Sequence, residues 1–433
     1  MQNNKVSVIG AGLAGCEAAW TLAQNGISVD LYEQKPYKKS PAHTHNGFAE
    51  LVCSNSLKAA RLDSAAGLLK EEMRMLGSVT MECAKHCAVG AGGALAVDRE
   101  KFSDLVTEKI KSHSLINVIE KEVTKIPDGN VIVATGPLTS DDLASYITNM
   151  VGGSLSFFDA AAPIVSFDSI DMEKAFWGAR YQKGDDDYIN CPMDKQEYEN
   201  FYNALINAES APLKEIDKRD FRVYEGCMPI EVMAKRGEDT IRFGPLKPVG
   251  IRDPKTGHRP WAVVQLRKEN AQGSLMNIVG FQTNLKFPEQ KRVFSMIPGL
   301  ENAEFVRYGV MHRNTFIDSP RLLDNHFRLK SNHNIYFAGQ ITGVEGYIES
   351  AASGIYAGIN MARQIKGVAP LTLPKETMLG ALSHYISDET VENFQPMGSN
   401  MGILPQLENK IRDKKERYML LANRSIEILK GLI

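Results

Sequence analysis

A glycine-rich turn near the amino terminus constrains the fold more than any other feature of this sequence. Residues 6–15 read VSVIGAGLAG, an apolar stretch that predicts a buried strand and runs into the pattern G-x-G-x-x-G. In this pattern the first glycine permits a tight turn and the second lets a pyrophosphate approach the backbone. The third lets the following helix pack close to the strand. The turn consists of Gly10, Ala11, Gly12, Leu13, Ala14 and Gly15.

The residues after the turn support a dinucleotide-binding unit rather than a structural loop. A helical stretch covers Cys16–Asn25 and a second apolar strand covers Ser28–Glu33. Glu33 ends that strand, where an acidic side chain can accept a hydrogen bond from a ribose hydroxyl. The phosphates of a dinucleotide then meet the free N–H groups at the start of the helix.

A second cofactor contact is predicted after the strand Asn130–Val133. This strand runs into Ala134, Thr135 and Gly136, and a strand that ends in Ala-Thr-Gly is typical of FAD enzymes with two dinucleotide folds. In those enzymes the backbone passes close to the cofactor at this point.

A third cofactor contact is predicted late in the chain. The strand Asn334–Ala338 leads into Gly339, Gln340, Gly346 and Tyr347, and then into a helix of small residues, Ser350–Ala362. This order resembles the closing FAD motif of the glutathione-reductase-like flavoproteins, in which the helix dipole stabilises the anionic reduced flavin. That class usually has Asp where Gln340 stands, so a Gln340 hydrogen bond to the ribityl chain stays an open question.

Together these motifs predict an α/β protein with a discontinuous, glutathione-reductase-like, FAD-binding Rossmann domain. Residues 1–150 form its first part and residues 301–433 its second part, which ends in a basic helix. Residues 151–300 carry more aromatic side chains, an acidic run at 185–187 and little βαβ rhythm. They are predicted to form an inserted α+β domain.

Composition and charge narrow the class of protein. The chain has 433 residues, 43% of them hydrophobic, without an apolar run that could span a bilayer, and it begins at once with a core strand. A cytoplasmic protein without a membrane partner is therefore expected. The net charge is −2, so a nucleic-acid partner requires a local basic patch. The predicted amphipathic helix beyond Pro405 carries such a basic patch, which consists of Lys410, Arg412, Lys414, Lys415 and Arg417. This basic strip is either a solvated face or a surface that contacts phosphates.

Two of the six cysteines stand in unusual settings. Cys53 lies among small polar residues, and Cys227 lies between a glycine and a proline. Both settings predict exposed loop positions, where a cysteine is either ordinary or catalytic. The group Cys83, His86 and Cys87 has no second pair of ligands at zinc-site spacing, so no metal site is predicted.

Seven stretches in collinear order, spread over nearly the whole chain, carry a resemblance to a known family: VIGAGLAG, FAELVCSNSL (48–57), GGALAVDREKF (92–102), YEGCMPIEVMAKRG (224–237), FGPLKPVG (243–250), VMHRNTF (310–316) and FAGQITGVEGYIESAASG (337–354). In these stretches the chain resembles the folate- and FAD-dependent RNA uracil-5-methyltransferases (TrmFO). A more distant resemblance is to the large subunit of the FAD-dependent wobble-uridine modification complex, which shares the FAD motifs but is longer and lacks the GCMPIE stretch.

The resemblance to TrmFO implies an activity and its cofactors. The expected product is 5-methyluridine at position 54 of the tRNA T loop. Methylenetetrahydrofolate gives the carbon, reduced FAD gives a hydride, and NADPH or NADH reduces the flavin. No stable protein partner is implied, and RNA is expected to lie across the inserted domain and the basic tail.

The resemblance also implies roles for individual residues. Cys227 matches the proposed nucleophile toward uracil C6, and Cys53 matches a partner that acts as a general base or holds the methylene unit. His312 matches a position whose imidazole stacks on the folate pteridine. Arg313 and Lys247 are expected beside folate carboxylates or RNA phosphates.

Three alternatives stay open. The same chemistry on a uridine of 23S ribosomal RNA leaves the active-site motifs unchanged. A plain FAD oxidoreductase for a small molecule has against it the absence of a second G-x-G-x-x-G for NAD(P)H. A non-enzymatic, flavin-stabilised RNA chaperone requires both cysteines to be ordinary.

Overall fold

A computed structural model describes residues 5–40, 42–153, 155–182, 185–212, 228–392, 394–409 and 411–433, without the side chains of 155–159, 312 and 313. Its strands are β1 (Lys5–Ile9), β2 (Ser28–Glu33), β3 (Ser56–Ala59), β4 (Ala88–Val89), β5 (Ala94–Val97), β6 (Ile116–Glu120), β7 (Asn130–Val133), β8 (Leu155–Ala160), β9 (Ile164–Ser166), β10 (Phe176–Trp177), β11 (Tyr188–Met193), β12 (Ala262–Lys268), β13 (Leu275–Ile278), β14 (Phe305–Arg307), β15 (Met311–Phe316) and β16 (Ile335–Phe337). Its helices are α1 (Leu13–Gln24), α2 (Ala65–Met75), α3 (Val79–His86), α4 (Arg99–Ser112), α5 (Asp141–Val151), α6 (Lys195–Ile206), α7 (Ile230–Ala234), α8 (Glu238–Phe243), α9 (Phe287–Phe294), α10 (Ser319–Leu322), α11 (Tyr347–Ile365), α12 (Met378–Ile386) and α13 (Lys414–Lys430).

A parallel five-stranded sheet forms the first layer, in the order β16-β7-β1-β2-β6. The central strands β1 and β7 bury most of their apolar side chains in the core that α1 and α11 share with the sheet. Val6, Val8 and Val131 are fully buried. Strands from both ends of the chain complete this sheet, which confirms the discontinuous Rossmann fold.

The closing helix α11 packs directly on the first helix α1. A Cβ on Gly354 would lie 2.1 Å from the carbonyl oxygen of Ala14, and one on Gly358 would lie 3.0 Å from the Thr21 side chain. Only glycine permits this approach, because any side chain at position 354 would overlap the backbone of α1.

The inserted part contains a six-stranded sheet in the order β10-β11-β12-β13-β9-β14, antiparallel at every pairing. Helices α6, α7 and α9 cover one face, and their buried side chains form a second core around Phe201, Phe281 and Phe294. A two-stranded ribbon of β8 and β15 joins this part to the first layer. Because β14 completes the sheet, we place the end of the inserted domain beyond residue 300.

The starts of the helices differ in a way that concerns ligand binding. Helices α4 and α6 begin after Asp98 and Asp194, whose side chains accept backbone N–H groups of the first turn. Helices α1 and α11 begin after Gly12 and Gly346, where no side chain caps the first turn. Their first N–H groups are therefore open to a ligand. Among the described helices, none combines the length and apolar character that crossing a bilayer requires.

Candidate active site

The glycine turn has the geometry that the sequence predicted. Gly10 has a φ of +96°, and a Cβ there would lie 2.7 Å from the Ala134 carbonyl oxygen. A Cβ on Gly15 would lie 1.7 Å from the Gly10 carbonyl oxygen. In contrast, a Cβ on Gly12 would meet nothing within 4 Å. Gly10 and Gly15 therefore serve close packing, whereas Gly12 leaves space in front of α1.

A cleft opens beside this turn and is lined by Gly10, Ala11 and Gly12. Glu33 lies in it, and its buried carboxylate accepts hydrogen bonds from the backbone N–H groups of Ala11 and Lys35, both at 2.9 Å. Each carboxylate oxygen retains a second acceptor position, so Glu33 can still take a ribose hydroxyl. Thr135 and Thr139, which follow β7, line the opposite side of the cleft.

The closing turn follows β16, which is an edge strand of the parallel sheet. Gly339 has a φ of +84°, and its N–H donates to the Ser353 hydroxyl at 2.7 Å. The Gln340 amide donates to a carboxylate oxygen of Glu345 at 2.5 Å, which gives this unusual residue a partner within the turn. Helix α11 starts at Tyr347, three residues earlier than predicted. Tyr347 therefore lies in the first turn of the helix.

Cys53 is half-buried, so the predicted exposed position is wrong for this residue. Its backbone N–H donates to the Tyr347 hydroxyl at 2.6 Å, and the next N–H, of Ser54, reaches the same oxygen at 3.3 Å. The Cys53 thiol donates to the carbonyl oxygen of Ala160 at 3.5 Å. Burial, and then the nearby Cys53, raise the pKa of Tyr347, so its hydroxyl remains neutral.

Three arginines from distant parts of the chain bind the loop around Cys53. Arg99 donates to the Leu51 carbonyl oxygen, and Arg307 donates to that of Val52 at 2.9 Å. Arg267 donates to the Ser54 hydroxyl at 3.0 Å. Arg267 and Arg307 belong to the sheet of the inserted domain. They partly cover the Cys53 loop, whose small polar residues had predicted an exposed position.

Cys227 lies outside the described residues, but the segment that follows it is anchored near Cys53. The buried carboxylate of Glu231 accepts the Thr283 hydroxyl and the Asn284 N–H, both at 2.8 Å, and burial raises its pKa. The Thr283 N–H in turn donates to the Ala161 carbonyl oxygen at 3.4 Å. Ala161 follows Ala160, the acceptor of the Cys53 thiol. Sequence reasoning missed this function of Glu231.

The remaining predicted positions lie in three places: strand β15, the loop after α8 and the tail helix α13. Residue 312 is on β15, and its side chain, like that of residue 313, lies outside the described atoms. Lys247 is exposed in the loop after α8. The tail helix α13 buries Leu421, Ala422, Ser425 and Leu429.

The basic side of the tail is described except for Lys410. Arg412, Lys414 and Lys415 are exposed. Arg417 is half-buried, where it donates weakly to the Ile411 carbonyl oxygen at 3.4 Å. Three of the described cations of this strip are therefore accessible to an anionic partner.

Comparisons with known proteins agree with this arrangement. Residues 5–369 match the family model described as "Glucose inhibited division protein A". The methylenetetrahydrofolate–tRNA-(uracil-5-)-methyltransferase TrmFO of Acetivibrio thermocellus is 62% identical over 430 residues, which is 99% of this chain and 98% of that protein. The protein of the same name from Enterococcus faecalis is 58% identical over 425 residues, 98% of this chain and 97% of that protein.

Solved structures share the fold. Aquifex aeolicus GidA in its form II crystal superposes with a TM-score of 0.70 and 17% identity, and the match covers 99% of this chain and 74% of that chain. The form I crystal of the same protein gives the same TM-score at 18% identity.

Proposed function

The chain belongs to the methylenetetrahydrofolate-dependent tRNA (uracil-5-)-methyltransferase (TrmFO) family, and on this premise we propose that it converts a uridine of RNA to 5-methyluridine. The observation that carries the proposal is 56–62% identity to relatives of that name over 98–99% of the chain. The proposed substrate is position 54 of the tRNA T loop, methylenetetrahydrofolate gives the carbon, and the reaction takes place in the cytoplasm.

The residues of both glycine turns fit FAD, which in its reduced form supplies the hydride that completes the methyl group. The space at Gly12 and the uncapped start of α1 suit a pyrophosphate. The free acceptor positions of the Glu33 carboxylate support a contact with a ribose hydroxyl. The uncapped start of α11 would offer its free N–H groups to the ring end of the cofactor. The other residues assigned to FAD are Ala134, Thr135, Gly136, Gly339, Gln340, Gly346 and Tyr347.

We assign the activation of uracil to Cys227, because C5 of uracil is a poor nucleophile. Its thiolate adds to C6 and forms an S–C6 bond, while the electrons of the C5–C6 double bond move onto the C4 oxygen. C5 of this enolate then attacks the one-carbon unit. Loss of the C5 proton then breaks the bond between the one-carbon unit and the folate nitrogen, so that tetrahydrofolate leaves and C5 carries an exocyclic methylene. Addition of a hydride to this methylene gives the methyl group, returns the electrons to the C5–C6 double bond and expels the thiolate from C6. The Glu231 anchor supports this assignment because it holds the described end of the Cys227 segment near Cys53.

We assign the removal of the C5 proton to Cys53. A proton acceptor must stay within hydrogen-bond reach of its target. The loop of Cys53 meets this need, because Tyr347 holds its backbone and the arginines hold its carbonyl groups. The same position also suits the other role, holding the methylene unit.

An assay with purified protein tests the activity. We expect 5-methyluridine in an unmodified tRNA transcript when methylenetetrahydrofolate and NADPH are supplied, with NADH as a parallel reductant. Product in a 23S ribosomal RNA fragment alone would reassign the substrate. Oxidation of NADPH without product in either RNA would favour a small-molecule oxidoreductase.

A T-arm RNA with 5-fluorouridine tests the roles of the cysteines. The fluorine cannot leave as a proton does, so the protein should form a complex with this RNA that resists denaturation. Cys227→Ala should abolish the complex and methylation but keep FAD. Cys53→Ala should lose methylation and keep the complex. Cys191→Ala is the matched control, because this thiol is fully buried in the inserted core. A trapped peptide that contains Cys53 would reverse the assignment.

We assign the folate contact to His312. The His312→Ala variant should raise the methylenetetrahydrofolate requirement much more than it lowers the FAD content, because the FAD contacts lie on other elements. Titration of the folate against the purified variant measures this. Parallel losses of FAD and folate binding would instead give His312 a structural role.

A further inference from the structure

Asn314 on β15 carries a buried amide that is unpaired within the described part of the chain. The residue is 1% exposed, and neither its amide nitrogen nor its amide oxygen has a hydrogen-bond partner among the described residues. Buried polar groups are almost always bonded, and one that is not indicates a missing ligand or water. The Asn314 amide has a donor NH₂ group beside an acceptor oxygen, so its complementary ligand has an acceptor beside a donor.

The strand that carries Asn314 is attached to both cofactor turns. The Thr315 N–H donates to the Pro137 carbonyl oxygen at 3.1 Å, directly after the Ala-Thr-Gly contact. The Ile317 N–H donates to Ile341 of the closing turn at 2.9 Å. The strand that carries the buried amide is therefore held against both turns that are assigned to FAD.

The face of β15 that carries Asn314 is directed to the closing turn. Residues two apart on a strand share a face, so Phe316 reports its direction. The Phe316 ring contacts the ring of Phe394 with 5.9 Å between centroids. The Phe394 ring lies against Gly343, where a Cβ would come within 2.4 Å of it.

We propose that Asn314 binds, through both amide atoms, the edge of a ring that carries an N–H beside a C=O. Flavin and the pterin of the folate both have such an edge, and the inference rests on the proposed function for their presence. The bidentate pair fixes the orientation of the ring against the closing turn. Asn314 is thus a binding residue that the sequence motifs did not reveal.

The test compares Asn314→Leu and Asn314→Ala with Asn360→Leu. Asn360 is equally buried, but its amide oxygen accepts the Leu371 N–H at 2.8 Å and its nitrogen donates to the Tyr356 carbonyl oxygen at 3.3 Å. The measurements are the thermal midpoint of the FAD-free chain, FAD affinity by fluorescence titration, and folate affinity of the FAD-loaded protein. If the leucine side chain disturbs folding at this position, Asn314→Ala provides the same comparison.

We expect the Asn314 variants to keep the FAD-free midpoint, because they remove no hydrogen bond, and to weaken one ligand by about tenfold or more. A lower FAD affinity would identify the flavin edge as the ligand. A lower folate affinity at full FAD content would identify the pterin edge. Asn360→Leu should lower the midpoint. A similar fall in the Asn314 variants, or unchanged affinity for both ligands, would overturn the inference. These binding measurements do not depend on methylation, so failure of the proposed function remains a separate result.

Discussion

Gly12 and Gly15 lie in the same turn, yet the structure predicts opposite defects when either receives a side chain. Gly12→Val should leave the FAD-free protein nearly as stable as the wild type and abolish FAD binding. Gly15→Ala should destabilise the protein before any cofactor is considered. The pair separates space that is reserved for a ligand from space that is used for packing.

The expected magnitudes follow from the distances. A Cβ on Gly15 lies 1.7 Å from the Gly10 carbonyl oxygen, whereas an ordinary carbon–oxygen contact is about 3.3 Å. The start of α1 must therefore move by roughly 1.6 Å, and overpacking of this kind costs about 3 kcal/mol. The usual gain from Ala in a helix, about 1 kcal/mol, offsets only part of that. Gly12 has φ −72° and ψ −172°, which valine adopts freely, so losing a glycine cap costs no more than about 1 kcal/mol.

Urea unfolding of FAD-free protein, followed by circular dichroism, measures the first effect. The ratio of flavin absorbance to protein measures the second. We expect Gly15→Ala to lose about 2 kcal/mol or more of unfolding free energy, and Gly12→Val to be purified colourless. A yellow Gly12→Val protein with stoichiometric FAD, or a Gly15→Ala protein as stable as the wild type, would refute this reasoning.

Three further predictions concern the charged groups. Glu231→Gln should lower the yield of the 5-fluorouridine complex at unchanged FAD content, measured on denaturing gels. Glu72→Gln should not, although Glu72 is also a buried carboxylate that accepts backbone N–H groups. Burial raises the pKa of Glu72 to about 7, above its unfolded value of about 4.3. The folded state therefore binds more protons between these values, and stability falls as the pH rises through that window. Urea unfolding at pH 5 and pH 7 should show a smaller fall in Glu72→Gln, and equal falls would contradict the pKa. Neutralising four residues of the basic strip together should weaken binding to all RNAs alike: Lys410, Lys414, Lys415 and Arg417. The slope of log affinity against log salt should become smaller by about 0.9 for each phosphate that the variant no longer neutralises. An unchanged slope would show that the strip is only a solvated face.

Local patterns predicted the Rossmann elements well because their signals are contiguous. The second strand has the predicted bounds, Ser28–Glu33, and the tail forms the expected helix at Lys414–Lys430. The starts of α1 and α11 were predicted three residues late in each case. Both helices begin directly after a glycine without a capping side chain, so the usual start signal is missing.

The surroundings of Cys53 could not be predicted from the sequence. The residues that hold its loop are remote in the chain: Tyr347 is 294 positions away from Cys53, and Arg307 is 255 positions away from Val52. No local spacing encodes such contacts, because they arise only when remote parts of the chain pack together: α11 brings Tyr347 to the loop, and the inserted sheet brings Arg307. Asn314 was missed for a related reason, since only burial shows that its amide is unpaired.

The contact between Gly354 and Ala14 has a consequence for how the protein is made. During synthesis the glycine turn emerges from the ribosome first, more than 300 residues before the closing helix that packs on it. Until the closing helix is synthesised, one side of α1 therefore remains uncovered. The pairing of β16 with β7 and the packing of α11 on α1 form last. A flavin-binding site completed at this late step can be filled only by chains translated almost to their end. We therefore expect premature termination before α11 to yield a colourless protein, so the yellow colour reports translation through this helix.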